Sequence, residues 1–160
     1  MIIVGFDPGL ATLGYGVIKK EQRGKPVMLD YGVVSTPKEE NLAVRLSMIE
    51  KGVKQILEKY KPDEIAIEEL FFAKNVTTGI NVAHARGVVL LTCIKECGKI
   101  YEYTPLQIKQ ALTGYGRAEK KQIQAMVTGF IQEPCLRFRR VKLWVSELEQ
   151  LQIYILPPVK

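Results

Sequence analysis

Short apolar runs separated by turn residues dominate the first 35 positions and predict three consecutive strands. The first strand runs from Ile2 to Phe6, the second from Gly14 to Lys20 and the third from Lys25 to Ser35. The third run is broken at Tyr31-Gly32. Because the apolar runs are rich in β-branched residues and the connections are short, the pattern favours an antiparallel meander.

The period then changes from strand to helix. Apolar residues at 42, 46, 49, 53 and 56 fall on one helical face and predict a helix from Asn41 to Tyr60. Lys61-Pro62-Asp63 ends this helix, and Glu64 to Glu68 follows as a fourth, short strand. The first strand is followed directly by Asp7, and the fourth strand ends in Glu68.

The next part of the chain predicts another helix and another strand. A helix from Thr77 to Cys97 carries a stripe made of Ile80, Ala83, Gly87, Leu90 and Ile94. Lys99 to Tyr103 reads as a fifth strand, and Thr104-Pro105 is a good start for a short helix. After a glycine-rich turn, a last helix begins at Lys120. The order βββαβαβα predicts an α/β domain of three layers.

Size and composition favour one globular domain over residues 1–160. The chain has 160 residues, of which 47% are hydrophobic, enough for a substantial core. No apolar run reaches the length of a membrane span and no leader peptide is evident, so we expect no membrane association. Three cysteines without metal-ligand spacing are expected to be free thiols, which suits a reducing cytoplasm.

The charge balance points to a polyanionic partner. The chain carries 23 Lys and Arg against 17 Asp and Glu, a formal net charge of +6. Only three aspartates are present: Asp7, Asp30 and Asp63. A site built from several aspartates is therefore excluded.

Asp7 and Glu68 are the candidate metal ligands. Each lies at the carboxyl end of a predicted core strand, and ligands bind at that edge in open α/β sheets. Mg²⁺ commonly takes one or two protein carboxylates, and two such ions promote phosphodiester hydrolysis. Two simpler interpretations remain open: Asp7 only caps its own turn, or the two acids end unrelated strands. Strand alternation puts Glu69 on the side opposite Glu68.

Several other residues have both a functional and a structural interpretation. Phe71 follows the fourth strand and suits stacking on an unpaired base, but it also suits the core. Lys109, Lys120 and Lys121 suit phosphate contacts, and equally a solvated basic face. Arg86, in the middle of a helix, is also expected as an internal ion-pair partner.

Motifs along residues 1–127 resemble, in the same order, those of the RuvC family of Holliday junction resolvases. They are Phe6-Asp7-Pro8-Gly9, Gly14-Tyr15-Gly16, Ala66-Ile67-Glu68-Glu69 with Phe71, Ala73-Lys74-Asn75, Ala85-Arg86-Gly87, Tyr103-Thr104-Pro105, Lys109 and the segment 113–122. The resemblance implies a ribonuclease-H-like fold with a five-stranded mixed sheet flanked by helices. It also implies a homodimer that makes paired, magnesium-dependent nicks in four-way DNA junctions during recombination and repair.

The same resemblance implies roles for individual residues. Asp7 and Glu68 are implied to be catalytic ligands of two Mg²⁺ ions, with Mn²⁺ able to substitute, and Lys109 to be catalytic. The implied DNA-binding residues are Phe71, Lys74, Arg117, Lys120 and Lys121. A branch-migration motor complex is the implied protein partner.

The resemblance ends after Val127. The family continues with an acidic motif that supplies two further aspartates to the metal site, whereas this chain has no aspartate after Asp63. Residues 128–160 form a divergent tail in which 141–155 have a helical apolar stripe; Glu147 and Glu149 do not match the spacing of the family's pair. A second hypothesis follows: a junction-binding protein whose cleavage is impaired because these carboxylates are absent.

A third hypothesis belongs to another functional class. Asp7, Gly9 and Gly14 also resemble the phosphate-binding hairpin of actin-like ATPases and sugar kinases. Those proteins enclose a nucleotide between two lobes, and 160 residues provide only one. The hypothesis is therefore disfavoured, and measurable ATP binding would support it.

Overall fold

The computed structural model describes residues 1–69 and 76–130. In this part of the chain, the elements follow the order that the sequence predicts. They are β1 (Ile2–Asp7), β2 (Thr12–Lys19), β3 (Val27–Ser35), α1 (Leu42–Tyr60), β4 (Glu64–Glu68), α2 (Val76–Glu96), β5 (Ile100–Tyr103), α3 (Pro105–Thr113) and α4 (Lys120–Phe130). The tail, including the helix predicted over 141–155, lies outside the described residues.

The five strands form one mixed sheet in the order β3-β2-β1-β4-β5. β1 pairs antiparallel with β2, and β2 antiparallel with β3, which confirms the predicted meander. β4 pairs parallel with both β1 and β5. The carboxyl ends of β1, β4 and β5 therefore meet at one edge, called the carboxyl edge below.

The break predicted in the third strand is wrong. β3 is continuous from Val27 to Ser35, and its register with β2 shifts elsewhere: Val17 and Ile18 pair with Asp30 and Met28, so Leu29 of β3 is the extra residue. Gly32 has a packing role: a Cβ built there would lie 3.0 Å from the ring of Tyr15 on the neighbouring strand. The glycine makes room for an aromatic ring and does not interrupt the strand.

Helices cover both faces of the sheet, as the alternation of side chains along the strands requires. On one face, α1 and α2 pack against β1 and β4 through Val4, Phe6, Ile65, Ile67, Ile49, Val53, Ala85 and Val89. On the other face, α3 and α4 pack against Ile3, Ala66 and Tyr103 through Ile108, Leu112, Ile123 and Val127. This confirms the predicted three-layer α/β architecture.

The stripe indicated for α2 is not its buried side. Ala85, Val89 and Cys93 are fully buried, whereas Ile80 and Ile94 are exposed. Because α2 is apolar on almost every side, its period does not select one face. Ile80 and Ile94 are therefore available for a contact outside the described chain.

The helix after β5 begins as predicted. The hydroxyl of Thr104 accepts a hydrogen bond from the N–H of Gln107, whose side chain in turn accepts one from the N–H of Thr104. Pro105 follows as the first helical residue, and Gly114 ends α3 with a φ of 71°, in the left-handed region that glycine favours. α3 therefore starts at the carboxyl edge.

Within the described ranges, no helix combines the length and the apolar character needed to cross a lipid bilayer.

Candidate active site

Asp7 and Glu68 are neighbours at the carboxyl edge. The parallel register pairs Phe6 with Ile67, so Asp7 and Glu68 come next, each as the last residue of its strand. Adjacent parallel strands lie about 4.8 Å apart. The two acids predicted from the sequence are therefore at adjacent strand ends, and the interpretation that they end unrelated strands is wrong.

The two acidic residues also share a face of the sheet. Ile3 and Ala66 pack towards α3 and α4, and side chains two positions apart on a strand point the same way. By this alternation, Asp7 and Glu68 also belong to the α3/α4 face, where both are half-buried. The two carboxylates therefore belong to one face of the sheet, at adjacent strand ends.

The turn that follows Asp7 is held by contacts that the sequence did not reveal. A Cβ at Gly9 would lie 2.4 Å from the carbonyl oxygen of Thr12, so only glycine fits. The hydroxyl of the buried Thr36 donates to the carbonyl of Leu10 at 2.6 Å, and Arg45 Nε donates to that hydroxyl at 2.8 Å. Nothing in the hydrophobic pattern marks Thr36 or Arg45 as supports of this turn.

The carboxylate pair fits a hard divalent cation. Mg²⁺ is usually held by one or two carboxylates, with water and substrate oxygens as its remaining ligands. Across residues 1–69 and 76–130, no three His, Cys, Asp or Glu side chains lie together. In the described chain, a metal would therefore rely on Asp7 and Glu68.

Lys109 lies close to the carboxyl edge in the fold. β5 ends at Tyr103, which pairs with Glu68, and α3 starts two residues later. Lys109 is half-buried in the second turn of α3 and lines a cavity of about 370 Å³ with Thr104, Pro105, Leu106 and Gly116. A cation is therefore positioned on the same face as the two carboxylates.

The remaining predicted DNA-binding residues fall into two groups. Arg117 is exposed in the turn between α3 and α4, Lys121 is exposed on α4, and Lys120 is the first residue of α4. The structure thus brings three basic residues to the segment that follows α3. Phe71 and Lys74 lie outside the described residues.

Arg86 makes an ion pair, as one interpretation of the sequence expected. From α2 its guanidinium group contacts the carboxylate of Glu102 on β5, and its Nε donates to the carbonyl oxygen of Glu68 at 3.4 Å. Glu102 was not among the residues selected from the sequence. Its only signal is that it is polar between two tyrosines in a short strand.

The other two aspartates have structural hydrogen bonds. A carboxylate oxygen of Asp63 accepts from the N–H of Ile2 at 2.6 Å, next to the start of β1. Asp30, on β3, accepts from the Tyr60 hydroxyl and from Lys59 Nζ, the latter at 3.1 Å. All three hydrogen bonds join parts of the chain that are distant in sequence.

The comparisons with known proteins agree with this geometry. A protein-family model described as crossover junction endodeoxyribonuclease RuvC matches residues 3–134. The chain is 51% identical over 131 residues to the protein of that name from Clostridioides difficile, covering 82% of this chain and 77% of the relative. It is 55% identical over 125 residues to the one from Petrotoga mobilis, covering 78% and 76%.

Solved structures show the same fold. RuvC from Thermus thermophilus in complex with a Holliday junction substrate superposes with a TM-score of 0.79 at 29% identity, covering 97% of this chain and 91% of that one. A second Thermus thermophilus RuvC structure gives a TM-score of 0.75 at 32% identity, covering 95% and 94%. The yeast mitochondrial Holliday junction resolvase Ydc2, at 10% identity and a TM-score of 0.72, shares the fold.

Proposed function

Because the chain belongs to the RuvC family of crossover junction endodeoxyribonucleases, we propose that it resolves Holliday junctions by paired, metal-dependent nicking during DNA recombination and repair. One observation carries the proposal. In a chain of this family, the last residues of two neighbouring parallel strands are both acidic and belong to the same face. That arrangement suits the binding of divalent cations beside a phosphodiester.

In this proposal Asp7 and Glu68 hold Mg²⁺, with two ions per site and Mn²⁺ as a substitute. Bound ions of this kind supply an activated water and stabilise the leaving oxygen of a phosphodiester. The two carboxylates fix the position of the site at the carboxyl edge. The turn after Asp7 is braced by Thr36 and Arg45, so Asp7 is held in place before the substrate binds.

Basic residues orient the DNA. Lys109, on the carboxylate face, acts as a catalytic cation that polarises the scissile phosphate. Arg117, Lys120 and Lys121 contact the DNA backbone, which fixes register without reading sequence. We assign base stacking at the junction to Phe71 and a backbone contact to Lys74.

We propose that the enzyme is a homodimer that packs through α2. The exposed side of this helix carries Ile80, His84, Leu91 and Ile94, spaced almost symmetrically about Gly87. A Cβ at Gly87 would meet nothing within 4 Å, so a second helix has room to approach there. Such symmetry suits an antiparallel pair of identical helices, since a two-fold contact must be self-complementary.

The dimer proposal has a direct test. Leu91 is 55% exposed, and Leu91→Glu is expected to convert the dimer to a monomer because it puts a charge on the proposed contact side of α2, one turn from Gly87. Val44 on α1 is 40% exposed, and Val44→Glu is the matched control: this variant should remain a dimer. Light scattering after gel filtration measures both. A monomeric wild-type chain, or a dimeric Leu91→Glu variant, contradicts the proposal.

A second function, junction binding with impaired cleavage, is favoured by the small number of aspartates in the chain. No aspartate follows Asp63, and among the described residues no third acidic group joins Asp7 and Glu68. Binding through basic residues depends less on these ligands than phosphodiester hydrolysis does. The two functions therefore differ in chemistry and share the DNA surface.

The deciding experiment uses the full chain with a synthetic four-way junction and a linear duplex of the same sequence. The nuclease proposal predicts symmetrical nicks in the junction with Mg²⁺, none with EDTA, and none in the duplex. Binding in a gel-shift assay without cleavage supports the second function. Cleavage of both DNAs at equal rates contradicts a junction-specific enzyme.

The cellular setting that we propose is the cytoplasm, where the enzyme acts together with a branch-migration motor complex. Cys93 and Cys97 are free thiols, as expected for a reducing compartment. Burial, together with the neighbouring Cys97, raises the pKa of the Cys93 thiol to about 12, so this thiol stays protonated at neutral pH. Co-purification of the motor with the junction-bound enzyme tests the partnership.

A further inference from the structure

Arg86 joins three elements at the carboxyl edge. It extends from α2, and its side chain is 19% exposed. Its Nε donates to the main-chain carbonyl of Glu68, the last residue of β4, at 3.4 Å, and its guanidinium group pairs with the Glu102 carboxylate on β5. The contact is therefore with the backbone of a proposed metal ligand.

The guanidinium group lies on the face of the sheet opposite the proposed metal site. Its neighbours on α2, Ala85 and Val89, pack on the face opposite α3 and α4. Glu102 pairs with Ile67, which is buried on that same α1/α2 face. The carboxylate of Glu68, by contrast, belongs to the α3/α4 face. A substitution of Arg86 thus removes nothing from the α3/α4 face, to which the two carboxylates belong.

The chemistry of arginine suits this position. Its planar fork of N–H donors can bond a carbonyl and a carboxylate together, which a lysine ammonium matches poorly. Metal ligands must be held to within about 0.5 Å, and loss of an outer hydrogen-bond partner typically reduces metal affinity 10- to 100-fold. The backbone at Glu68 has a second brace, because the N–H of Glu69 donates to the carbonyl of Tyr103 at 2.8 Å.

We propose that Arg86 is a positioning residue, held by Glu102, that fixes the end of β4 so that the Glu68 carboxylate is preorganised for metal. The inference rests on the proposed function, because it assigns Glu68 to the metal site. A purely structural ion pair would stabilise the fold and leave the metal requirement unchanged. The two roles therefore give different measurements.

The test compares Arg86→Ala, Arg86→Lys and Glu102→Gln with the wild-type chain. Mn²⁺ binding, followed by electron paramagnetic resonance, is expected to weaken about 10- to 100-fold in Arg86→Ala. The Mg²⁺ concentration for half-maximal junction cleavage should rise in parallel. Arg86→Lys should recover part of the affinity, and Glu102→Gln should lose less. Junction affinity in EDTA should stay within about twofold of wild type.

Lys59→Ala is the matched control. It breaks another ion pair between a helix and a strand, in which Lys59 Nζ lies 3.1 Å from the Asp30 carboxylate. This pair lies on β3, away from the carboxyl edge. The substitution should lower the melting temperature and leave Mn²⁺ affinity unchanged. Equal weakening of Mn²⁺ binding in Lys59→Ala and Arg86→Ala would show that general stability is responsible, and would overturn the proposal.

The outcomes separate this inference from the proposed function. If Arg86→Ala fails to fold, Glu102→Gln decides, and unchanged Mn²⁺ affinity in that folded variant overturns the inference. A wild-type chain that binds Mn²⁺ but does not cut junctions refutes the nuclease function alone, and the affinity comparison still decides the role of Arg86. A wild-type chain that binds no Mn²⁺ overturns the inference itself.

Discussion

Two acidic regions of the same sheet differ in the number of acids that they bring together. On β3, Asp30 accepts bonds from Tyr60, from Lys59 and from the N–H of Tyr31, so its negative charge is balanced inside the chain. At the carboxyl edge, Asp7 and Glu68 stand at adjacent strand ends on one face. Like charges placed together raise the free energy of the folded state unless a cation or a proton offsets them.

The comparison separates structural from functional acids. Burial alone would raise the pKa of Asp30, but the hydrogen bonds from Tyr60, Lys59 and the Tyr31 N–H outweigh it and hold the pKa below its ordinary value of 3.8. Asp30 therefore gives stability through its ionised form. In the proposed function, the carboxylate pair at the edge instead holds a metal ion.

The largest predicted effect is at the carboxyl edge. Asp7→Asn should reduce the single-turnover rate of junction cleavage by more than about 100-fold. It removes a proposed direct metal ligand, and the loss of a hydrogen-bond partner outside the ligand shell already costs about 10- to 100-fold. The folded state should be as stable as wild type or more so, because one of two adjacent charges disappears. Quench-flow kinetics and urea unfolding measure the two quantities. A large loss of stability in Asp7→Asn would contradict the contrast with Asp30.

A smaller effect is expected at Lys109. Lys109→Met keeps the length of the side chain but removes the cation, and should lower the cleavage rate about 100-fold with junction affinity changed less than about threefold. Lys121→Met is the control for general surface charge, because Lys121 is exposed on α4. It should weaken binding and leave the rate of the bound complex nearly unchanged. Equal rates for the two variants would remove Lys109 from the catalytic machinery.

The smallest effect is expected at the Asp30 cluster, on stability alone. Tyr60→Phe removes one hydrogen bond to Asp30 and should lower the free energy of unfolding by about 1 kcal/mol at pH 7. Because the folded pKa of Asp30 is lowered, this contribution is present above the ordinary pKa of 3.8 and is lost as the pH falls through the folded value. Urea unfolding at neutral pH and near pH 3 measures it. A difference that persists unchanged in acid would show that Asp30 is not its source.

The sequence predicts most of the fold because its elements are locally marked. Strand and helix periods, Pro62 after α1 and the Thr104-Pro105 cap mark where elements begin and end. The buried side of α2 was not predictable, since apolar residues surround this helix. The role of Gly32 was also missed, because the ring of Tyr15 that requires it comes from another strand.

For the candidate site, the sequence identifies the acids but not their supports. Asp7 and Glu68 each end an apolar run, which is a local signal. Thr36, Arg45 and Glu102 act through contacts with residues 9 to 26 positions away in the chain, and no period of the sequence indicates such contacts. The proposed reaction comes from the resemblance to the RuvC family, whereas the adjacency of the two acids comes from the register of the sheet.

The most direct test of the contrast is junction cleavage by Asp7→Asn and Asp30→Asn, measured side by side under single-turnover conditions with Mg²⁺. The account predicts that Asp7→Asn loses more than about 100-fold in rate while bound to the junction, and that folded Asp30→Asn cuts within about threefold of wild type. Asp7→Asn cutting at the wild-type rate, or folded Asp30→Asn losing as much, would contradict it.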